Sequence, residues 1–202
     1  MDERRVDLVE RVLAHDGYFK IVRYRLRHSL FEGGMGPEIT REVFDRGQAV
    51  AVLPYDPTTD QVVLIEQFRP GAYGTEADPW LIETVAGIVE QGEEIEDVVK
   101  RETEEETGLY LQDLRPIARY FASPGGSSET VDLFIGHVKA ADAGGIFGLA
   151  SEGEDIKVHV LDYRTAMDWL QQGKIKVATT IIALQWLSLH RQDIRDQWTD
   201  LP

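Results

Sequence analysis

The chain of 202 residues is 43% hydrophobic and carries a formal charge of −15. That apolar content is enough for a real core, which excludes global disorder, and the length fits one domain with an elaboration or two small ones. The acidity argues against a nucleic-acid partner, and the absence of cysteine excludes disulfides, thiolate metal sites and a Cys nucleophile.

The opening MDERRVDLVERV is charged throughout and shows no apolar signal segment, and no run approaches the ~18–20 apolar residues of a membrane span. A soluble, cytoplasmic protein is the simplest expectation. Residues 1–15 are ambiguous. Tyr18 to Arg27 alternates apolar and basic residues and predicts a half-exposed strand; a Gly-rich turn at 31–37 and a returning strand from Glu38 to Asp45 follow. Together they form a small antiparallel sheet, too small to stand alone. Arg46-Gly47 marks a boundary, giving an N-terminal sheet domain over 1–47 and a second domain over 48–202.

Strands are predicted at Gln48–Tyr55, Gln61–Phe68, Trp80–Ala86, Asp113–Ala122, Glu129–Val138 and Ile156–Leu161. Helices are predicted at Glu93–Thr107, Tyr163–Gln172 and from Val177 to about Asp196, with Ala140–Asp155 as a mobile loop without periodicity. Strands interleaved with three helices indicate an α/β sandwich with a mixed sheet. The five histidines are scattered without metal-ligand spacing.

The stretch from Gly87 to Leu109, GIVEQGEEIEDVVKRETEEETGL, holds eight glutamates. On a helix turning about 100° per residue, Ile95, Val98 and Val99 define an apolar arc. Glu102 and Glu106 fall inside that arc and Glu105 at its edge. Two carboxylates on a core-facing stripe are costly and repel each other, and a hard divalent cation such as Mg²⁺ reverses that penalty. Most Glu-rich helices are simply solvated, and composition alone leaves both readings open.

The order of residues is more specific. Gly87, Glu93, Arg101-Glu102, Glu105-Glu106 and Gly108-Leu109 resemble the Nudix box, a pattern that fixes nine positions over twenty-three residues. Thr103 departs from it, standing where that family usually has an aliphatic residue. Pro124, within Ser123-Pro124-Gly125-Gly126, and the chain from Tyr18 through IALQWLSLH resemble the bacterial ADP-ribose pyrophosphatase branch.

The resemblance implies an α/β/α sandwich over roughly 48–197, with the box as loop–helix–loop and the N-terminal sheet as an extra domain. It implies Mg²⁺-dependent hydrolysis of ADP-ribose to AMP and ribose 5-phosphate, with several Mg²⁺ ions and Mn²⁺ as a substitute. The implied ligands are Glu102, Glu106, the carbonyl of Ala86 and Glu154. Glu152, in LASEGEDI, would be the base; Glu105 would either reach a metal or support the ligands from behind, and Arg101 would hold Glu93 or a neighbouring carboxylate in place. Tyr18, Arg41, Arg69, Ser123 and Glu129 would meet the substrate, within a homodimer whose N-terminal domains are exchanged.

Each residue also has a plainer reading. Glu152 and Glu154 suit a solvated acidic loop, Arg41 and Arg69 an ordinary surface, and Tyr18 half-buried strand packing. The rival functions are a pyrophosphatase for another nucleoside diphosphate sugar, such as GDP-mannose, and a sensor that binds ADP-ribose without cleaving it.

Overall fold

A computed structural model describes residues 4–199, apart from the side chains of Glu152 and Thr199. Its contacts divide the chain into two units. The first comprises residues 1–48 with 120–131, and the second residues 49–119 with 132–202.

In the first unit β1 (Val6–Asp16), β2 (Lys20–His28) and β3 (Ile39–Asp45) form an antiparallel sheet in that order. The ambiguous N-terminal segment is therefore its longest strand. Its alternation was hard to read because β1 shifts register between Leu8 and Glu10 and again between Leu13 and His15, which breaks the period of two. Val22 is fully buried, whereas Val6, Leu8, Val9 and Leu13 are exposed. The segment after Ala122 is stitched to β3, where Phe44 donates to Gly126 and accepts from Ser128.

The second unit carries most of an eight-stranded sheet. It is built from β4 (Gln48–Asp56), β5 (Gln61–Phe68), β6 (Trp80–Glu83), β7 (Val85–Ile88), β8 (Asp113–Phe121), β9 (Thr130–His137), β10 (Gly145–Phe147) and β11 (Ile156–Asp162). The order is β10-β11-β5-β4-β9-β8, with β6 on β5 and β7 on β4. The helices are α1 (Ile95–Thr107), α2 (Tyr163–Gln171) and α3 (Ala178–Thr199).

Both faces of the central strands are covered, as their near-continuous apolar runs require. Val50, Val52, Val63, Ile65, Ile156 and Val158 cluster with Val98 and Val99 of α1. Residues of opposite parity, such as Leu53, Tyr55 and Leu64, are buried too. His159, one residue on from Val158, meets the ring of Trp169 in α2, so α1 and α2 lie on opposite faces. This is an α/β sandwich.

Two departures from the expected elements bear on function. The strand expected from Trp80 to Ala86 is broken at Thr84, whose N–H donates to Thr180 Oγ1 of α3 at 2.9 Å. The hairpin β4–β5 is paired only beside its turn, and β6 and β7 fill the gap between the splayed strands. The second departure is the loop expected over Ala140–Asp155, which contains β10 and two short 3₁₀ turns, Ala140–Asp142 and Ala150–Glu152. Strands of three residues are too short for periodicity to reveal.

Candidate active site

The acidic helix α1 begins after a turn in which the Glu93 carboxylate accepts from the N–H of Glu90 at 2.8 Å. Glu96 and Asp97 sit in its first turn, where the helix dipole favours negative charge. It ends at Gly108, in the left-handed region at φ 71°, whose N–H caps the carbonyl of Glu104. Phe147 of β10 lies where a Gly108 side chain would be, which seats the loop after β10 against the helix C-terminus. The N–H of Gly148 donates to the carbonyl of Glu105 at 3.4 Å.

Glu106 is only 3% exposed. The N–H of Ala86 in β7 donates to its Oε2 at 3.1 Å. Burial pushes its carboxyl well above the usual range, and the charges of Glu102 and Glu154 add to this against the Ala86 hydrogen bond. Glu102 lies against Gly87, where an added Cβ would overlap its carboxyl group. Burial raises Glu102 to about 7, with the negative charge of Glu105 adding to the effect and Arg101 opposing it. Arg101 is the hub of the outer ring, reaching Glu102 at 2.8 Å, Glu105 at 3.2 Å and Glu93 at 3.5 Å.

Glu154 is held beside this pair. The N–H of Leu149 donates to its Oε2 at 3.1 Å, and its charge acts on both Glu102 and Glu106. The backbone of Glu152 belongs to the second 3₁₀ turn, and its side chain lies outside the described portion. Arg69 follows β5 and forms a bidentate ion pair with Glu83, the last residue of β6.

The structure thus gathers Ala86, Arg101, Glu102, Glu105, Glu106 and Glu154, with the positive charge of Arg69 felt by Glu106. Of the other expected residues, Glu152 belongs to the second unit, and Tyr18, Arg41, Ser123 and Glu129 belong to the first. Tyr18, in the turn between β1 and β2, is 90% exposed and edge-on to Phe19. Arg41 in β3 donates to the carbonyl of Thr40. The carbonyl of Ser123 accepts the N–H groups of Gly126 and Ser127, and Glu129 faces Arg46 at 3.5 Å. Glu83 was not foreseen, because its pairing with Arg69 depends on β6 lying antiparallel to β5, which no local pattern specifies.

Among the described residues, no group of three or more His, Asp or Glu is already drawn together as a metal site. The donor set nonetheless fits a hard divalent cation. A half-buried and a buried carboxylate four residues apart are both raised by burial, and their oxygens are the ligands such ions take.

Comparison with known proteins agrees with this chemistry. Residues 45–189 match the NUDIX domain. The chain belongs to the Nudix family. This Nudix chain is 48% identical over 193 residues to the ADP-ribose pyrophosphatase of Escherichia coli K12, a match covering 96% of the chain and 92% of that protein. The ADP-ribose pyrophosphatase of Haemophilus influenzae is 42% identical over 199 residues, covering 97% and 92%. The GDP-mannose pyrophosphatase of Salmonella typhimurium is more distant, 31% identical over 185 residues, covering 90% and 94%. A crystal structure of an ADP compounds hydrolase superposes with a TM-score of 0.72 over 96% of each chain, and at 18% identity it speaks to the fold alone. No helix among the described residues is long and apolar enough to cross a membrane.

Proposed function

We propose that this Nudix enzyme hydrolyses the pyrophosphate bond of ADP-ribose to AMP and ribose 5-phosphate with Mg²⁺. The observation that carries the substrate is the 48% identity over nearly the whole chain to an ADP-ribose pyrophosphatase, against 31% to a GDP-mannose pyrophosphatase.

Glu102, Glu106, Glu154 and the carbonyl of Ala86 would hold the divalent cations. Bound there, such ions neutralise charge developing on the phosphoryl oxygens. The chain's own groups supply the rest. Glu152 takes a proton from the attacking water as its oxygen bonds to one phosphorus and the bridging P–O bond breaks. Arg101 keeps Glu102 and Glu105 apart from each other's charge and aimed in fixed directions. Arg69 meets the diphosphate, and Arg41 lies near it. Tyr18 stacks on adenine, Glu129 holds the terminal ribose hydroxyls, and Ser123 contacts the substrate.

In this reading residues 1–47 serve dimerisation and substrate contact, and residues 48–202 the hydrolysis. Two copies pair with their N-terminal sheets exchanged, and the enzyme works in the cytoplasm. The exposed Val6, Leu8, Val9 and Leu13 of β1 support a partner for that sheet.

The test is initial rates with Mg²⁺ on ADP-ribose, GDP-mannose, ADP-glucose, diadenosine polyphosphates and NADH. A preference for ADP-ribose of at least ~10²-fold in kcat/KM, about 2.7 kcal/mol of discrimination, is expected. A flat profile overturns the substrate, and tight binding without turnover replaces the enzyme by a sensor.

A further inference from the structure

Arg69 makes an unusual choice of partner. Three acidic groups lie within reach of its charge, namely Glu83, Glu106 and Glu154. Every hydrogen bond of its guanidinium among the described residues goes to Glu83. Nε donates to the two Glu83 oxygens at 3.2 and 2.9 Å, and Nη2 donates to Oε2 at 2.7 Å. Gln67 Nε2 donates to the same Oε2 at 3.3 Å. The Glu83 side chain is 9% exposed while that of Arg69 is 42% exposed. One edge of the guanidinium is therefore clamped from the buried side, and Nη1 has no bond among the described residues.

Such a pair is a poor stability device, since desolvating the carboxylate offsets most of what the ion pair gains. It is a good orienting device. A bidentate fork fixes the plane of the guanidinium, which a lone ammonium or a single hydrogen bond does not. The backbone supports the same end, because Thr84, next to Glu83, is anchored on Thr180 where β6 gives way to β7. Without Glu83 the guanidinium would be drawn onto Glu106 and Glu154, neutralising the carboxylates that the chemistry needs free.

We propose that Glu83 is a positioning residue, which holds Arg69 off the catalytic carboxylates and leaves its Nη1 amino group to the substrate diphosphate. This rests on the reading of Arg69 as a diphosphate contact.

The test is a double-mutant cycle in steady-state ADP-ribose hydrolysis on the full chain, with Glu83→Gln, Arg69→Ala and both together, each checked by its unfolding midpoint. Glu83→Gln is expected to lower kcat/KM about 10- to 100-fold, chiefly through KM, as misplaced binding groups do. In the Arg69→Ala background the same change should cost nothing more. Glu83→Asp keeps the charge but shortens the reach, and its loss should be smaller than that of Glu83→Gln; it also decides the matter if Glu83→Gln does not fold. Wild-type kinetics in Glu83→Gln beside an impaired Arg69→Ala, or losses that simply multiply, would overturn the proposal. An Arg69→Ala enzyme with full activity removes the diphosphate contact and the proposal with it. If the wild type prefers another nucleoside diphosphate sugar, only the substrate reading falls, and the same cycle on that substrate still decides the role of Glu83.

Discussion

The N–H of Ala86 donates to Oε2 of Glu106 at 3.1 Å, so one short strand reaches the most deeply buried acid of α1 with its backbone. That single neutral donor is weak compensation for a carboxylate 3% exposed. Removing the charge while keeping the shape separates its two effects. Glu106→Gln should lower kcat by ~10³-fold or more, the scale of losing a major electrostatic element. Its metal-free unfolding free energy should match or exceed that of the wild type. Mg²⁺ should raise the wild-type melting temperature by mass action and leave that of the variant nearly unmoved. An equal rise in both proteins would take Glu106 out of the cation site.

Gly87 has a different task. Its missing side chain leaves the space that the Glu102 carboxyl fills. In Gly87→Ala the new methyl displaces the end of a flexible side chain rather than backbone, so the fold should survive. If Glu102 holds a cation as proposed, displacing its carboxylate by about 1 Å is expected to cost ~10²-fold in kcat/KM. Kinetics and circular dichroism on the same preparation check this, and a fully active Gly87→Ala enzyme would count against Glu102 as a cation ligand.

These two residues also mark how far the sequence could be read. Periodicity located α1 and put Glu102 and Glu106 on its inner arc, because a helix repeats every 3.6 residues whatever it packs against. It brought Glu105 only to the edge, where Arg101 now holds it. Most of the strands were legible for the same local reason. What the chain order hid was tertiary. The break at Thr84 depends on a hydroxyl ninety-six residues away, and Glu83 gains its meaning from register with β5. β1 was obscured by its two register shifts.

Thr103, the departure from the Nudix pattern, is fully buried in α1, and its Oγ1 donates to the carbonyl of Val99 at 2.7 Å. That bond lets a polar group replace an aliphatic one facing the core. Because a helical carbonyl at this position also has its backbone partner, deleting the hydroxyl strands no acceptor. Thr103→Val should therefore change stability by less than about 1 kcal/mol and leave kcat intact, whereas Thr103→Ala should cost about 1–2 kcal/mol through the lost methyl. Urea unfolding of the three proteins distinguishes these cases. A valine variant weakened more than the alanine one would mean that the hydroxyl has a role beyond filling space.

Asp60 carries a pH-dependent part of the stability, through partners other than the acidic pair. It closes the β4–β5 turn at φ 59°, accepts from Tyr55 at 2.8 Å, and is gripped by Arg191 of α3. Burial opposes its charge, but the hydrogen bonds from Arg191 and Tyr55 outweigh this and hold the carboxyl below its ordinary value of 3.8. The folded state therefore binds this proton less readily than the unfolded chain does. The resulting stability is fully present above pH 3.8 and is lost as pH falls through the lower folded value. Asp60→Asn tolerates the left-handed backbone and keeps one acceptor, so it isolates the charge. At pH 7 it should cost about 1.5–3 kcal/mol, the range for a hydrogen bond to a charged group. The gap from the wild type should hold from pH 7 to about 4.5 and narrow only below the ordinary aspartate pKa. Denaturant unfolding of both proteins along that series is the measurement. A gap that closes near neutral pH would point to a different titrating group, and one that never closes would assign the Asp60 contribution to shape rather than charge.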